Sequence, residues 1–137
     1  MLYGEITERI LRSFYRVYNR LGYGFLERVY ENALSIACRD ERLDVKRQVK
    51  IDVFFEGSRV GTYQADLIIN DVVIVEIKAA ESLRPEHEAQ LTNYLRATSC
   101  EVGLLLNFGK SPETRRKLFT NDRKIRLGTL PRTIDTA

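Results

Sequence analysis

Tryptophan is absent from these 137 residues, and histidine and methionine occur once each. A single histidine, His87, cannot supply the imidazole pair on which most zinc sites depend, so it reads as a supporting or surface residue. Cysteine is nearly as scarce. Cys38 and Cys100 lack metal-ligand spacing and are too few for a disulfide framework, which suits reduced thiols in the cytoplasm. No stretch approaches the roughly 18–20 apolar residues that span a bilayer, so no membrane partner is expected. The opening Met1-Leu2-Tyr3-Gly4-Glu5 does not read as a signal peptide. Internal repeats and low-complexity stretches are missing too.

A strong charge of either sign is also lacking. Lys and Arg number 22 against 19 Asp and Glu, and a formal charge of +3 is too mild to establish a nucleic-acid partner. The distribution is more suggestive. Lys110, Arg115, Arg116, Lys117, Arg123, Lys124, Arg126 and Arg132 crowd the C-terminal region, opposed only by Glu113, Asp122 and Asp135. Such a region suits phosphate contacts, or equally a solvated helix face with a frayed tail. The length suits one domain over residues 1–137, with 122–137 expected to be an irregular tail.

What is present is clear periodicity. Ile6, Ile10, Leu11, Phe14, Val17, Tyr18 and Leu21 recur at helical spacing until Gly22-Tyr23-Gly24 breaks the helix. A second helix runs from about Leu26 to Asp40. Val49, Ile51, Val53 and Phe55 alternate as a strand that turns at Glu56-Gly57-Ser58, and two more strands follow near 60–69 and 72–79. Pro85 fits the first turn of a helix reaching Ala97, with Ser82 as its expected cap. Val102–Phe108 reads as a fourth, buried strand and Glu113–Phe119 as a short last helix. The order is ααβββαβ plus that helix. Its β-α-β unit predicts parallel strands in a mixed sheet of about four strands flanked by helices, an α/β fold.

The chemistry lies within residues 63–79. Val72 to Ile77 has the β-branched composition of a strand buried on both faces, apart from Glu76. A buried unpaired carboxylate costs several kcal/mol, so Glu76 needs a metal, a partner or a chemical task. Strand alternation places Glu76 and Lys78 on one face, roughly 6–7 Å apart. Asp66 lies on the preceding strand, beyond an Asn70-Asp71 turn. With an odd-length loop, such as 70–72, Asp66 sits opposite Glu76 and the two acids converge; with a two-residue loop they face apart. Convergent carboxylates beside a lysine make a divalent-metal site of the kind that hydrolyses phosphodiesters. The plainer alternative is a surface ion pair worth up to about 1 kcal/mol. Farther along, Gln90 and Tyr94 share one face of the helix after the third strand, with His87 a turn earlier.

Gly24-x-x-Glu27-x-x-Tyr30, Ala65-Asp66, Val75-Glu76-Ile77-Lys78-Ala79, His87-x-x-Gln90-Leu91-x-Asn93-Tyr94 and Gly103-Leu104-Leu105-Leu106-Asn107-Phe108-Gly109 occur in that order. Together they resemble the small bacterial GxxExxY proteins of the PD-(D/E)xK nuclease superfamily, over about residues 5–120. The resemblance implies a restriction-endonuclease-like core. It implies Asp66 and Glu76 as metal-binding acids, Glu27 as the helical glutamate that completes the metal site, and Lys78 as the signature lysine. Gln90 and Tyr94 would match the Q-x-x-x-Y element of the RecB-like branch. Ala65 departs from the signature proline without removing a ligand. Tyr30 reads as a packing or hydrogen-bonding residue.

The expected function is that of a nuclease using Mg²⁺ or Mn²⁺ on nucleic acid, DNA ahead of RNA, with a homodimer as an option. Lys78 would orient the attacking water and stabilise phosphorane charge rather than remove a proton, because nearby carboxylates favour its charged form. The alternatives are a non-catalytic nucleic-acid- or partner-binding domain on the same fold, and a metal-dependent phosphoesterase acting on a small molecule.

Overall fold

The computed structural model describes residues 1–126. Apolar residues at helical spacing put Ile10, Phe14 and Val17 on the buried face of α1 (Gly4–Leu21). Tyr30, Leu34, Ala37 and Cys38 do the same for α2 (Glu27–Asp40). The chain between these helices turns through Gly24 at φ +111°, where an added side chain would meet open space but a strained backbone.

Five strands follow in one sheet, ordered β1-β2-β3-β4-β5. They are β1 (Val45–Phe55), β2 (Ser58–Ile69), β3 (Val73–Lys78), β4 (Val102–Phe108) and β5 (Pro112–Leu118). β3 and β4 pair in parallel across α3 (Pro85–Ala97), and the remaining neighbours are antiparallel. α1 and α2 pack Phe14, Tyr30 and Leu34 against Leu67, Val75, Ile77 and Leu106 on one face of the sheet. α3 packs Leu91, Tyr94 and Leu95 against Ile68, Ile74 and Leu105 on the other. β3 and β4 are therefore buried on both sides, which their continuous apolar sequences require.

Four boundaries differ from the sequence expectation. Glu113–Phe119, expected as a helix, lies mostly in β5, an edge strand antiparallel to β4. Pairing to the open edge of β4 outweighs the weak local preference of Pro-Glu-Thr-Arg-Arg-Lys-Leu. The sheet thus has five strands rather than four. β1 begins at Val45, four residues before the alternating run. α3 is capped at Arg84, whose backbone N–H donates to His87 Nδ1 at 3.1 Å, and not at Ser82. Residues 122–126 of the expected irregular tail belong to α4 (Asn121–Arg126), and 127–137 lie outside the described residues.

The loop after β3 is held by a buried amide. Asn107 Oδ1 accepts from Ala80 N at 2.9 Å, while its Nδ2 donates to Ala80 O at 3.0 Å and to Glu113 Oε1 at 3.2 Å. Gly109 lets this loop approach, since a Cβ there would overlap the Ala80 carbonyl oxygen. Gly109→Ala should therefore cost about 2–3 kcal/mol, read as a lower urea midpoint at unchanged slope.

Candidate functional site

Asp44 to Val72 sets the register on which the site depends. Asn70 and Asp71 both adopt left-handed backbone, with φ of 51° and 58°. Val72 N donates to Ile69 O at 3.0 Å, closing a three-residue loop between β2 and β3. The odd-length alternative is the one adopted. With Leu67 paired to Val75, Asp66 stands opposite Glu76.

The β2–β3 ladder ends at Leu67↔Val75, although both strands continue. Beyond it the two carboxylates replace the missing backbone bonds. Glu76 Oε2 accepts from Asp66 N at 2.7 Å, and Asp66 Oδ2 accepts from Ile77 N at 2.8 Å. Each acid is thereby fixed by the neighbouring strand. Glu76 is only 4% exposed. Burial, followed by the charge of Asp66, pushes its carboxyl up to about 8, and burial likewise raises Asp66.

Lys78, half-buried at the end of β3, lowers both acids by its charge. Yet it makes no hydrogen bond or ion pair to any described residue, so the plain ion-pair reading fails. From α3, Gln90 Nε2 donates to the Tyr94 hydroxyl at 3.0 Å. Tyr94 is pushed up to about 12 by burial, then by the negative charges of Glu76 and Asp66. Its phenol thus accepts from Gln90 and keeps a proton to donate beside the acid pair.

Glu27 is placed differently. It is the first residue of α2, exposed, with Oε2 accepting from Ala79 N at 3.3 Å. Its charge reaches Glu76 and raises it. Tyr30 is fully buried, stacked on Phe108 at 4.4 Å, and its hydroxyl donates to Gly22 O and accepts from Phe25 N. The Gly-x-x-Glu-x-x-Tyr spacing thus serves the 22–25 turn as well as the site. His87 caps α3.

Two residues near Asp66 escaped the sequence reading. Glu31 is 4% exposed, held by Arg47 Nη2 at 2.8 Å and by Gln48 Nε2 at 2.5 Å. Gln48 Nε2 also lies 3.4 Å from Asp66 Oδ1. The signal for Glu31 was its position three and seven residues before Leu34 and Cys38, on the apolar side of α2. Gln48 carried none.

Asp66 and Glu76 suit a hard divalent cation. They are adjacent carboxylates, and Glu76 Oε1 accepts no hydrogen bond from any described residue. Among the described residues, no group of three or more His, Cys, Asp or Glu side chains is arranged to hold a metal ion. The expected three-acid shell is therefore not assembled. Glu27 turns to the Ala79 amide and solvent, while Glu31 is taken by Arg47 and Gln48.

The basic C-terminal region serves mainly the fold. Lys124 is fully buried, donating to Thr98 O, Cys100 O and Asn121 Oδ1. Lys117 pairs with Glu88 at 2.6 Å, Arg115 with Glu113 at 3.7 Å, and Arg123 lies over the Phe119 ring. Arg132 is outside the described residues. Cys38 and Cys100 are buried free thiols in opposite cores, both pushed up to about 11 by burial. No helix among the described residues is long and apolar enough to cross a membrane.

No curated protein sequence matches the chain. The crystal structure of SSO0001 shares its fold, with a TM-score of 0.51 at 20% identity, over 73% of this chain and 54% of that one. The chain thus spans about half the length of that protein. A family profile, that of the PD-(D/E)XK nuclease superfamily, matches residues 4–118 and so most of the sequence. With a mixed sheet flanked by helices and the acid pair on adjacent central strands, the chain belongs to the PD-(D/E)XK nuclease superfamily.

Proposed function

We propose that this protein is a metal-dependent nuclease of the GxxExxY type that hydrolyses phosphodiester bonds in nucleic acid, DNA ahead of RNA. The observation that carries this is the interlocked pair Asp66 and Glu76 at the point where the β2–β3 ladder stops, with Lys78 beside it and unpaired among the described residues. Two buried carboxylates are unfavourable neighbours unless a cation joins them. Asp66 and Glu76 would hold Mg²⁺ or Mn²⁺, which would supply charge neutralisation at the scissile phosphate and a more acidic bound water. Glu27 would bind through water or a second ion. Lys78, with no acceptor among the described residues, is available to the attacking water or a phosphate oxygen. The Tyr94 phenol, oriented by Gln90, would donate to the substrate backbone. Two separate buried thiols suit a cytoplasmic setting.

Labelled single- and double-stranded DNA and RNA, incubated with Mg²⁺, Mn²⁺ or EDTA, test the reading. Cleavage with a divalent ion and none in EDTA is the expected result. A second reading, a non-catalytic binding domain, is favoured by one observation, the lack of a three-acid cluster among the described residues. It predicts strand binding without cleavage under every ion. Tyr94→Phe keeps the ring that packs on Tyr63 and removes only the hydroxyl, with it the acceptor for Gln90. Turnover should fall about tenfold or more with Mn²⁺ affinity unchanged; equal turnover would return Tyr94 to a packing role.

A further inference from the structure

A row of side chains crosses three strands at the site. The β1–β2 register pairs Arg47 with Leu67 and Val49 with Ala65, which sets Gln48 opposite Asp66. Asp66 in turn stands opposite Glu76. The β1–β2 ribbon also changes faces at this row. Val45 and Leu67 belong to the core under α1 and α2, whereas Val49 and Ala65 belong to the core under α3. Residues two or four apart on a regular strand share a face, so the ribbon turns over here. Gln48, with a left-handed φ of 50°, is the residue at which β1 does so.

The amide of Gln48 has two partners, Glu31 Oε1 at 2.5 Å and Asp66 Oδ1 at 3.4 Å. Both are carboxylate oxygens, so the amide must present its NH₂ group to them; its carbonyl would be repelled. Glu31 cannot move away, because Arg47 grips its other oxygen through Nε at 3.1 Å and Nη2 at 2.8 Å. Among the described residues, Asp66 is held at Oδ2 by the Ile77 amide and at Oδ1 only by Gln48.

We propose that Gln48, anchored by Glu31 and Arg47, is a positioning residue that sets the rotamer of Asp66 for the site on β2 and β3. This deepens the metal-site reading and meets it only at Asp66. A left-handed, non-glycine residue inside a strand is unfavourable by itself, and holding a ligand carboxylate from behind is a task that repays it.

Amide hydrogen exchange in the metal-free protein tests the proposal without requiring metal binding. Gln48→Met keeps length and backbone cost while removing the donor. Gln48→Gly removes the donor and relieves the left-handed backbone, so it guards against misfolding of the first variant. In both, Asp66 loses one of two anchors, and the Ile77 amide should exchange about tenfold faster or more, while Leu104 and Leu105 amides keep wild-type protection. Mn²⁺ titration should then show affinity weakened about 10- to 100-fold in either variant, and no further loss when Gln48→Met is added to Asp66→Asn. Ile77 protection equal to wild type in the Gly variant would overturn the proposal. So would an equal Mn²⁺ loss with and without Asp66. A wild type that binds no Mn²⁺ would sink the metal-site reading alone, leaving the exchange result to decide the role of Gln48.

Discussion

Lys78→Ala should cut divalent-ion-dependent cleavage by about a hundredfold or more, while Mn²⁺ binding holds or tightens. The two effects diverge because Lys78 acts on the site by charge alone, with no hydrogen bond or ion pair to Asp66 or Glu76. Removing it takes away a positive charge that competes with the cation and, in the same step, the group available to the developing phosphorane. Glu76→Ala should behave oppositely, with metal affinity and turnover disappearing together. Both variants should remain folded: Lys78 is only half-buried, and losing Glu76 relieves crowding of like charge. Calorimetric Mn²⁺ titration beside a cleavage assay separates them. Full activity in Lys78→Ala would favour the binding-domain reading, as would wild-type protein that cleaves nothing with any divalent ion.

In the metal-free protein, stability should fall as pH rises from about 5 to about 8, with Glu76 alone contributing up to ~1.4 kcal/mol per unit. Glu76 is raised from 4.5 to about 8 in the folded state, first by burial and then by Asp66. Below the unfolded value both states are protonated and nothing is lost. Between the two values the unfolded chain ionises while the folded one keeps its proton. The folded state then binds more protons, and stability declines with pH until Glu76 itself ionises near 8. Asp66, also raised by burial, adds to the same slope. Saturating Mn²⁺ should reverse the trend, since the cation binds the ionised pair and displaces the proton. Glu76→Gln should flatten the slope and exceed the wild type in stability at pH 8. Urea titrations in EDTA at pH 5.5, 6.5, 7.5 and 8.5 would decide this; parallel curves for wild type and Glu76→Gln would refute it.

Much of the fold was legible because local pattern and burial agree. α1, α2 and α3 are long and β3 and β4 are mostly apolar, and their pattern is that of the surface they bury. β5 was misread because its seven residues carry four charges and no strand pattern. What makes them a strand is the free edge of β4, a partner distant from any local rule. The start of β1 was missed for a related reason. Val45 and Val49 pack into different cores, so the ribbon's turnover at Gln48 breaks the alternation a strand should show.

Asp66, Glu76, Lys78, Gln90 and Tyr94 could be named from sequence because polar residues in buried strand or core-facing helix positions are anomalies that demand a reason. The same logic would have reached Glu31 had the face of α2 been followed through Leu34 and Cys38. Sequence alone could not choose between an odd and an even loop at Asn70-Asp71, and that choice decides whether Asp66 meets Glu76 or points away. Left-handed backbone at both residues, the Val72–Ile69 bond and the packing of Leu67 and Ile69 settle it together. A slip of one residue would exchange Leu67 and Ile69 with Ile68 between the two differently shaped cores. Nor could sequence tell that Glu27 lies against the Ala79 amide while Glu31, one turn on, is locked by Arg47 and Gln48. By itself the sequence determined which residues must be buried, and so which polar ones need a task. Which of those carboxylates stand together was decided only by tertiary structure, because strand register and helix placement are set by contacts between segments far apart in the chain.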